Sequence, residues 1–260
     1  ALDMGCDCVG AIPHIEFPRE DGVRSVELAF ELAEQYGRPV DIHCDETGDE
    51  QSRFVEVMAK LAIATGMGSA VTASHTTAMH NYNNDYALKL MGIFRRAKMN
   101  FITAPFDNSV LQNRTDGYPR RRGHTRVDEL DAAGVNVSIG HDSIMDPWYP
   151  MGRGSMLAAA NLLMHTAHMS GREQISRLFD MITDNSAVTM GVRDRYGVTP
   201  GAPADFVILD APDEFEAIRL QSECLFVVRG GTVVCETAPA KRRLRRSGAV
   251  REVDFKLPAR

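Results

Sequence analysis

Apolar residues along the chain fall into short runs, separated by longer stretches in which they recur every three or four positions. The runs are CDCVGAIP (6–13), PVDIHC (39–44), AVTASH (70–75), NFITAP (100–105) and NVSIGHD (136–142). Each is too apolar for a strand with one wet side and predicts a strand buried on both faces of a parallel sheet. Between the first two, Val26, Ala29, Phe30 and Ala33 mark a helix over 24–36, ended by Gly37 and Pro39. A helix over 52–65 carries Phe54, Val55, Met58, Leu61 and Ala62 on one stripe and stops at Gly66. Segments 85–98 and 125–133 fill the next two slots, with Gly134 as a C-cap. Strand and helix alternate, which predicts a repeating βα unit.

Past residue 150 the rhythm changes. Segments 155–169 and 172–182 read as consecutive helices, whereas ADFVILD (204–210) and CLFVVRGGTVVCE (224–236) read as β structure. Gly230-Gly231 between two alternating runs is a two-residue hairpin signal. The expected division is therefore 1–198, an α/β part with its C-terminal helices, and 199–260, a small β module with a basic tail. In that tail KRRLRR (241–246) has five basic residues in six, read as a solvated extension in preference to an anionic partner site.

Composition narrows the classes. With 29 Lys+Arg against 35 Asp+Glu, the chain of 260 residues has a net charge of −6, which argues against a nucleic-acid surface spread over the fold. No apolar run approaches the ~18–20 residues needed to cross a bilayer. Five irregularly spaced cysteines give no disulfide framework, so a reducing cytoplasm is expected. The chain opens on Ala1 without signal-peptide logic, and its natural start is expected to lie upstream.

Chemistry enters where polar residues close the apolar runs. His43 closes the second, His75 the third and Asp142 the last, and strand carboxyl ends form the functional face of parallel α/β sheets and barrels. Alone, a histidine at a strand end is an ordinary structural residue; three such groups at three ends point to one site. His43 is placed to ligate a metal, and Glu46, three residues on, to reach a substrate above it. Asp142 is placed to ligate the same metal and to accept a proton from water that the metal acidifies. Cys44 alternates into the packing, and Asp45 has no assigned role. Cys6 and Cys8 are read as packed on one strand face, not as a zinc site. Ser143 and Trp148, the sole tryptophan, sit where a pocket wall belongs, although Trp148 could equally plug the barrel.

HCDE (43–46), TASHTTAMH (72–80), GHDS (140–143) and DPWYP (146–150) closely resemble the cytosine deaminase branch of the amidohydrolase superfamily. VGAIPHIEF (9–17), DEQSRFVE (49–56) and VVRGG (227–231) extend the likeness over essentially the whole chain. The resemblance implies a (β/α)8 TIM-type barrel holding one divalent metal ion, iron or zinc, with a homo-oligomeric assembly. It implies that His43 is the fifth-strand ligand and Asp142 the eighth-strand ligand. Glu46 matches the proton shuttle to the pyrimidine, His75 the hydrogen-bonding histidine of the sixth strand, and Trp148 a residue near the base. The implied reaction is hydrolysis at C4: water adds, Asp142 takes its proton, and ammonia leaves as the uracil forms.

The sequence departs from that pattern twice. Only five strands can be counted and no His-x-His occurs, so strands one to three, two histidine ligands and a substrate-holding glutamine are expected upstream of Ala1. Strands completing a partial β-sandwich module are expected there too, and the chain alone is expected neither to fold stably nor to turn over substrate. The second departure is Ser143, where the family carries an aspartate facing the base. The smaller side chain leaves room for a C5 substituent, as in 5-methylcytosine or 5-fluorocytosine, or for another amino-substituted heterocycle; equally, Ser143 tunes an ordinary cytosine pocket. Two other readings stay open: an aminohydrolase of a triazine, oxopurine or related ring, and a degenerate homologue acting as a binding module. No lysine ends an apolar run, which disfavours dinuclear amide hydrolases.

Overall fold

The structure, a computed structural model, describes residues 1–257. After a short coil and two 3₁₀ turns, α1 (Arg19–Tyr36) leads into β1 (Val40–Cys44), and α2 (Phe54–Thr65) into β2 (Val71–His75). The unit repeats with α3 (Asn84–Ala97), β3 (Asn100–Thr103), α4 (Pro105–Leu111), α5 (Val127–Ala132) and β4 (Asn136–Ile139). The four strands are parallel and in chain order, β1-β2-β3-β4, with Cys44 opposite His75 and Thr103 opposite Ile139. This register aligns the carboxyl ends, so side chains that close the strands meet in one place. Phe30, Ile42, Met58, Phe94, Phe101 and Leu130 are fully buried between sheet and helices, the layering that the apolar runs require.

The first apolar run contributes less than a full strand. Val9 forms an isolated parallel bridge with Val40, and the backbone bonds Asp41 N–H to Val9 O and His43 N–H to Ala11 O continue that edge. Cys6 and Cys8 are exposed, not packed on a strand face. They precede Val9, the first residue whose backbone joins the sheet. β1 to β4 each begin within one residue of the expected start.

Beyond β4, α6 (Met156–Thr166), α7 (Arg172–Met181) and α8 (Asp184–Thr189) follow one another. Asn185 Nδ2 of α8 donates to Val137 O and Asn136 Nδ2 donates to Thr189 Oγ1, fixing α8 on β4. Next come β5 (Phe206–Leu209), α9 (Glu214–Leu220), β6 (Cys224–Arg229) and β7 (Thr232–Glu236), the strands forming an antiparallel sheet in that order. Gly230 and Gly231 both have positive φ, 55° and 77°, as a two-residue hairpin turn demands. The basic segment is exposed and is also paired: Arg243–Arg246 is β8, antiparallel to β9 (Ala249–Glu252), and both strands face solvent. Ser247-Gly248, both left-handed, supply its turn. Among the described residues no helix is long and apolar enough to cross a membrane.

Candidate active site

The loop after β1 is built around Asp45. Strand alternation buries Cys44 and exposes His43. At Asp45 the chain turns into the left-handed region, φ 52°, which sends its side chain inward. Its carboxylate is fully buried and accepts from Ser52 Oγ at 2.7 Å and from the N–H groups of Phe54 and Val55 at 2.9 Å each. Those N–H groups open α2 and have no partner within the helix, so an anion there satisfies them and meets the positive end of the helix dipole. The backbone carbonyl of Asp45 also accepts from Ala78 N–H at 3.0 Å. This residue, unassigned in the sequence, anchors the loop that presents Glu46.

Four groups, Glu46 among them, converge at the strand ends. His43 Nδ1 lies 3.7 Å from Glu46 Oε2, and His75 Nδ1 lies 3.6 Å from Oε1. His43 Nδ1 and His75 Nε2 are 3.2 Å apart, and Asp142 Oδ2 is 3.9 Å from His75 Nε2. His43, Glu46 and His75 offer ligand atoms that all lie within 4.8 Å of one another, with Asp142 reached through His75. Asp142 and His75 have φ of 66° and 71°, and Thr76 44°. Together with Asp45, left-handed residues thus mark three of the four strand ends, a concentration typical of functional loops.

The electrostatics follow from this crowding. Burial pushes Glu46 up, but His43 and His75 beside it outweigh that and hold its carboxyl below the usual range. The same contact with Glu46 raises His43. Burial lowers His75 and raises Asp142, the latter also through repulsion from Glu46.

Asn108 of α4 and Gln112, which caps that helix, complete the arrangement, and neither was expected. Asn108 is buried; its Oδ1 accepts from Ala104 N–H at 3.2 Å, which orients the amide so that Nδ2 faces His75 Nδ1 at 3.0 Å. Nδ1 of His75 must then accept, and the neutral ring carries its proton on Nε2, towards His43 and Asp142. Gln112 Nε2 donates to Glu46 Oε1 at 3.4 Å. Pro105 at the first helical position is the sequence signal for this short helix. His14 is also at the site: its Nδ1 is buried without a partner, and burial depresses its pKa against the pull of Glu46.

Ser143 is half-buried, and its carbonyl accepts from His141 Nδ1 at 2.9 Å. Trp148 is 64% exposed, with its backbone N–H on Asp146 Oδ1.

The amidohydrolase family profile matches residues 1–235. The chain belongs to the amidohydrolase family. Crystal structures of 5-methylcytosine deaminase from Klebsiella pneumoniae, liganded with phosphonocytosine or with 5-fluorocytosine, superpose with TM-scores of 0.90 and 0.91. Their identities are 47% and 46%, over 93% and 94% of this chain and 59% of that protein. N-isopropylammelide isopropyl amidohydrolase of Pseudomonas sp. (strain ADP) is 27% identical over 90% of this chain and 55% of that relative. Pterin deaminase of Rhizobium rhizogenes is 27% identical over 80% of this chain and 47% of its own length. The chain therefore spans about half the length of the amidohydrolase relatives it matches. The family and the parallel sheet agree with the barrel-type architecture expected from the sequence.

Proposed function

We propose that this chain carries part of the active site of a metal-dependent aminohydrolase that removes the C4 amino group of a C5-substituted cytosine. The observation that carries the reading is the convergence of His43, Glu46, His75 and Asp142 at the carboxyl ends of β1, β2 and β4. His43 and Asp142 offer a nitrogen and an oxygen donor of the kind that suits iron or zinc. Because Asn108 leaves the Nε2 proton on His75, His75 is a hydrogen-bond donor, and His43 and Asp142 are the residues that would hold the ion. A divalent ion held there would lower the pKa of water towards neutrality.

The side chains then divide the work. Asp142 accepts the proton of the attacking water. Glu46, kept ionised and oriented by Gln112, collects a proton and delivers it to the ring nitrogen as C4 becomes tetrahedral. His75 donates from Nε2 to the oxygen added at C4. The proton on Asp142 passes to the amino group, ammonia leaves, and the C4 hydroxyl gives up its proton as the keto ring forms, replacing the one that Glu46 delivered. Ser143 and Trp148 belong to the base pocket. Similarity to 5-methylcytosine deaminase at 47% supports a C5 substituent, as does the small side chain at position 143. A homo-oligomer in the cytoplasm and the division at residues 198/199 belong to the same reading.

The test uses the whole protein that carries this chain, loaded with iron or zinc. Ammonia release from 5-methylcytosine should exceed that from cytosine in kcat/KM. Turnover of N-isopropylammelide or a pterin with neither pyrimidine accepted would replace the reading with that of the 27% relatives.

A further inference from the structure

The segment between α4 and α5 carries five arginines and His124 against the single carboxylate of Asp116 over residues 114–126. With the turn after β2 and the end of α6 it encloses a cavity of about 310 Å³. His80, Arg122, His124, Arg126 and His168 line it, with Asp128 and Glu129 also on its wall. The proposed reaction uses none of these residues.

His124 is only 4% exposed, and its Nδ1 donates to Thr125 O at 2.8 Å. A carbonyl oxygen only accepts, so the neutral ring carries its proton on Nδ1 and Nε2 keeps a lone pair. That Nε2 is buried and has no hydrogen-bond partner among the described residues, an unmet acceptor that costs stability. The ring of His80 meets that of His124 edge-on, 6.0 Å between centres. Neighbouring contacts hold His124 in place. A Cβ on Gly123 would sit 2.5 Å from Asn108 O, and Thr76 Oγ1 donates to Thr125 Oγ1 at 3.0 Å. Arg126 Nε donates to Met79 O at 2.8 Å.

Charge selects what can meet Nε2. Arg122 Nη1 donates to Thr166 O at 2.6 Å and Nη2 to His168 Nε2 at 2.7 Å, which leaves part of its five-donor fork for a ligand. Glu129 pairs with Arg126 at 3.1 Å, and Asp128 is exposed, where solvent and salt screen it. Burial lowers the pKa of His80, and His124, Arg126, Arg122 and Arg121 lower it further, as a positive field requires. A metal ion fits poorly, because the guanidinium groups repel it. Among the described residues, three donor atoms close enough to share an ion occur at His43, Glu46 and His75, not here.

The ligand must therefore be an anion that also donates a hydrogen bond. A phosphate ester loses its last proton at about pH 6, and sulfate has none to lose near neutrality, whereas inorganic phosphate keeps one. We propose that this cavity binds inorganic phosphate, whose P–O–H group donates to His124 Nε2 while its other oxygens accept from Arg122 and His80.

The test is calorimetric titration of the whole metal-loaded protein at about pH 8, above the ordinary range of histidine, with inorganic phosphate, sulfate and glycerol 3-phosphate. Phosphate should bind about tenfold or more tightly than the other two. Arg122→Gln, at an exposed guanidinium, should weaken phosphate about tenfold and keep that preference. His124→Leu should abolish the preference, bringing phosphate down to the level of sulfate. Asp142→Asn should leave phosphate binding as it is. Equal affinity of the parent protein for phosphate and sulfate, or no phosphate bound at millimolar concentration, would overturn the proposal. So would binding that is lost in Asp142→Asn and kept in His124→Leu, which would put the anion at the proposed active site. Should His124→Leu not fold, Arg122→Gln decides, and an unchanged phosphate affinity there would overturn the proposal.

Discussion

Replacing Asp45 by alanine removes the acceptor of five hydrogen bonds, the short ones from Ser52 Oγ, Phe54 N–H and Val55 N–H and two at 3.4 Å from Cys44 Sγ and Tyr82 OH. Two of those donors are backbone groups at the start of α2, and the site is fully buried, so water cannot take the place of the carboxylate. Losing a cap costs about 1 kcal/mol in an exposed helix. Each buried donor left unpaired costs about 1–3 kcal/mol. Relief of carboxylate desolvation offsets part of this, and the expected loss is about 3–5 kcal/mol. Asp45→Asn should cost less, about 1–3 kcal/mol, because its Oδ1 still accepts while the amide NH₂ faces a donor. The assay is urea unfolding of the whole protein, followed by circular dichroism. With m of about 3 kcal/mol/M, Asp45→Ala should move the midpoint down by about 1 M or more. A loss below about 1 kcal/mol for alanine, or equal losses for alanine and asparagine, would refute the capping argument.

Three further outcomes are expected. Asn108→Leu should lower kcat about ten- to hundredfold with a smaller change in KM, since the tautomer of His75 is no longer fixed; unchanged kcat would remove Asn108 from the site. His75→Gln should retain the metal and lose turnover, whereas Asp142→Asn should lose the metal as well; metal analysis per chain separates them, and loss of metal in His75→Gln would make His75 a ligand. Asp116, beside the Arg121 guanidinium, has its pKa lowered from 3.8 to about 2. A depressed carboxylate stabilises the folded state above its unfolded pKa and loses that contribution as pH falls through the folded value. Asp116→Asn should therefore narrow its Tm difference from the parent between about pH 4 and pH 2, and a constant difference across that window would discount the pair.

The βα alternation is legible in the sequence because strands buried on both faces must be nearly continuous apolar runs, and the helices between them carry one apolar stripe. The positions of His43, His75 and Asp142 are legible for the same reason: a polar residue closing such a run lies at a strand end. Asn108 and Gln112 are hidden because α4 has only seven residues, too few for a repeating stripe, and follows β3 with no intervening loop. Asp45 reads as one more acidic residue, since nothing local says that its carboxylate turns inward to α2. Position 6–13 reads as a strand by composition, yet only from Val9 onward does the chain find a partner backbone. The basic segment 241–246 reads by charge alone, which masks the alternation that pairs β8 with β9. Trp148 is placed near the pocket by its neighbours in sequence, while its indole is set largely in the open by the turn that Asp146 caps.

The left-handed backbone at His75, Thr76 and Asp142 has a consequence for how this scaffold can be altered. A non-glycine residue held there costs on the order of 1 kcal/mol or more, most for a β-branched one such as Thr76. Thr76 is kept by its N–H bond to Cys44 O and its hydroxyl bond to Thr125, so the rest of the fold sustains a posture the residue would not choose. Selection for thermal robustness alone would drift these positions towards glycine or asparagine and erase the chemistry while improving the protein. A library screened for folding would discard the active site first; only a screen for turnover keeps it.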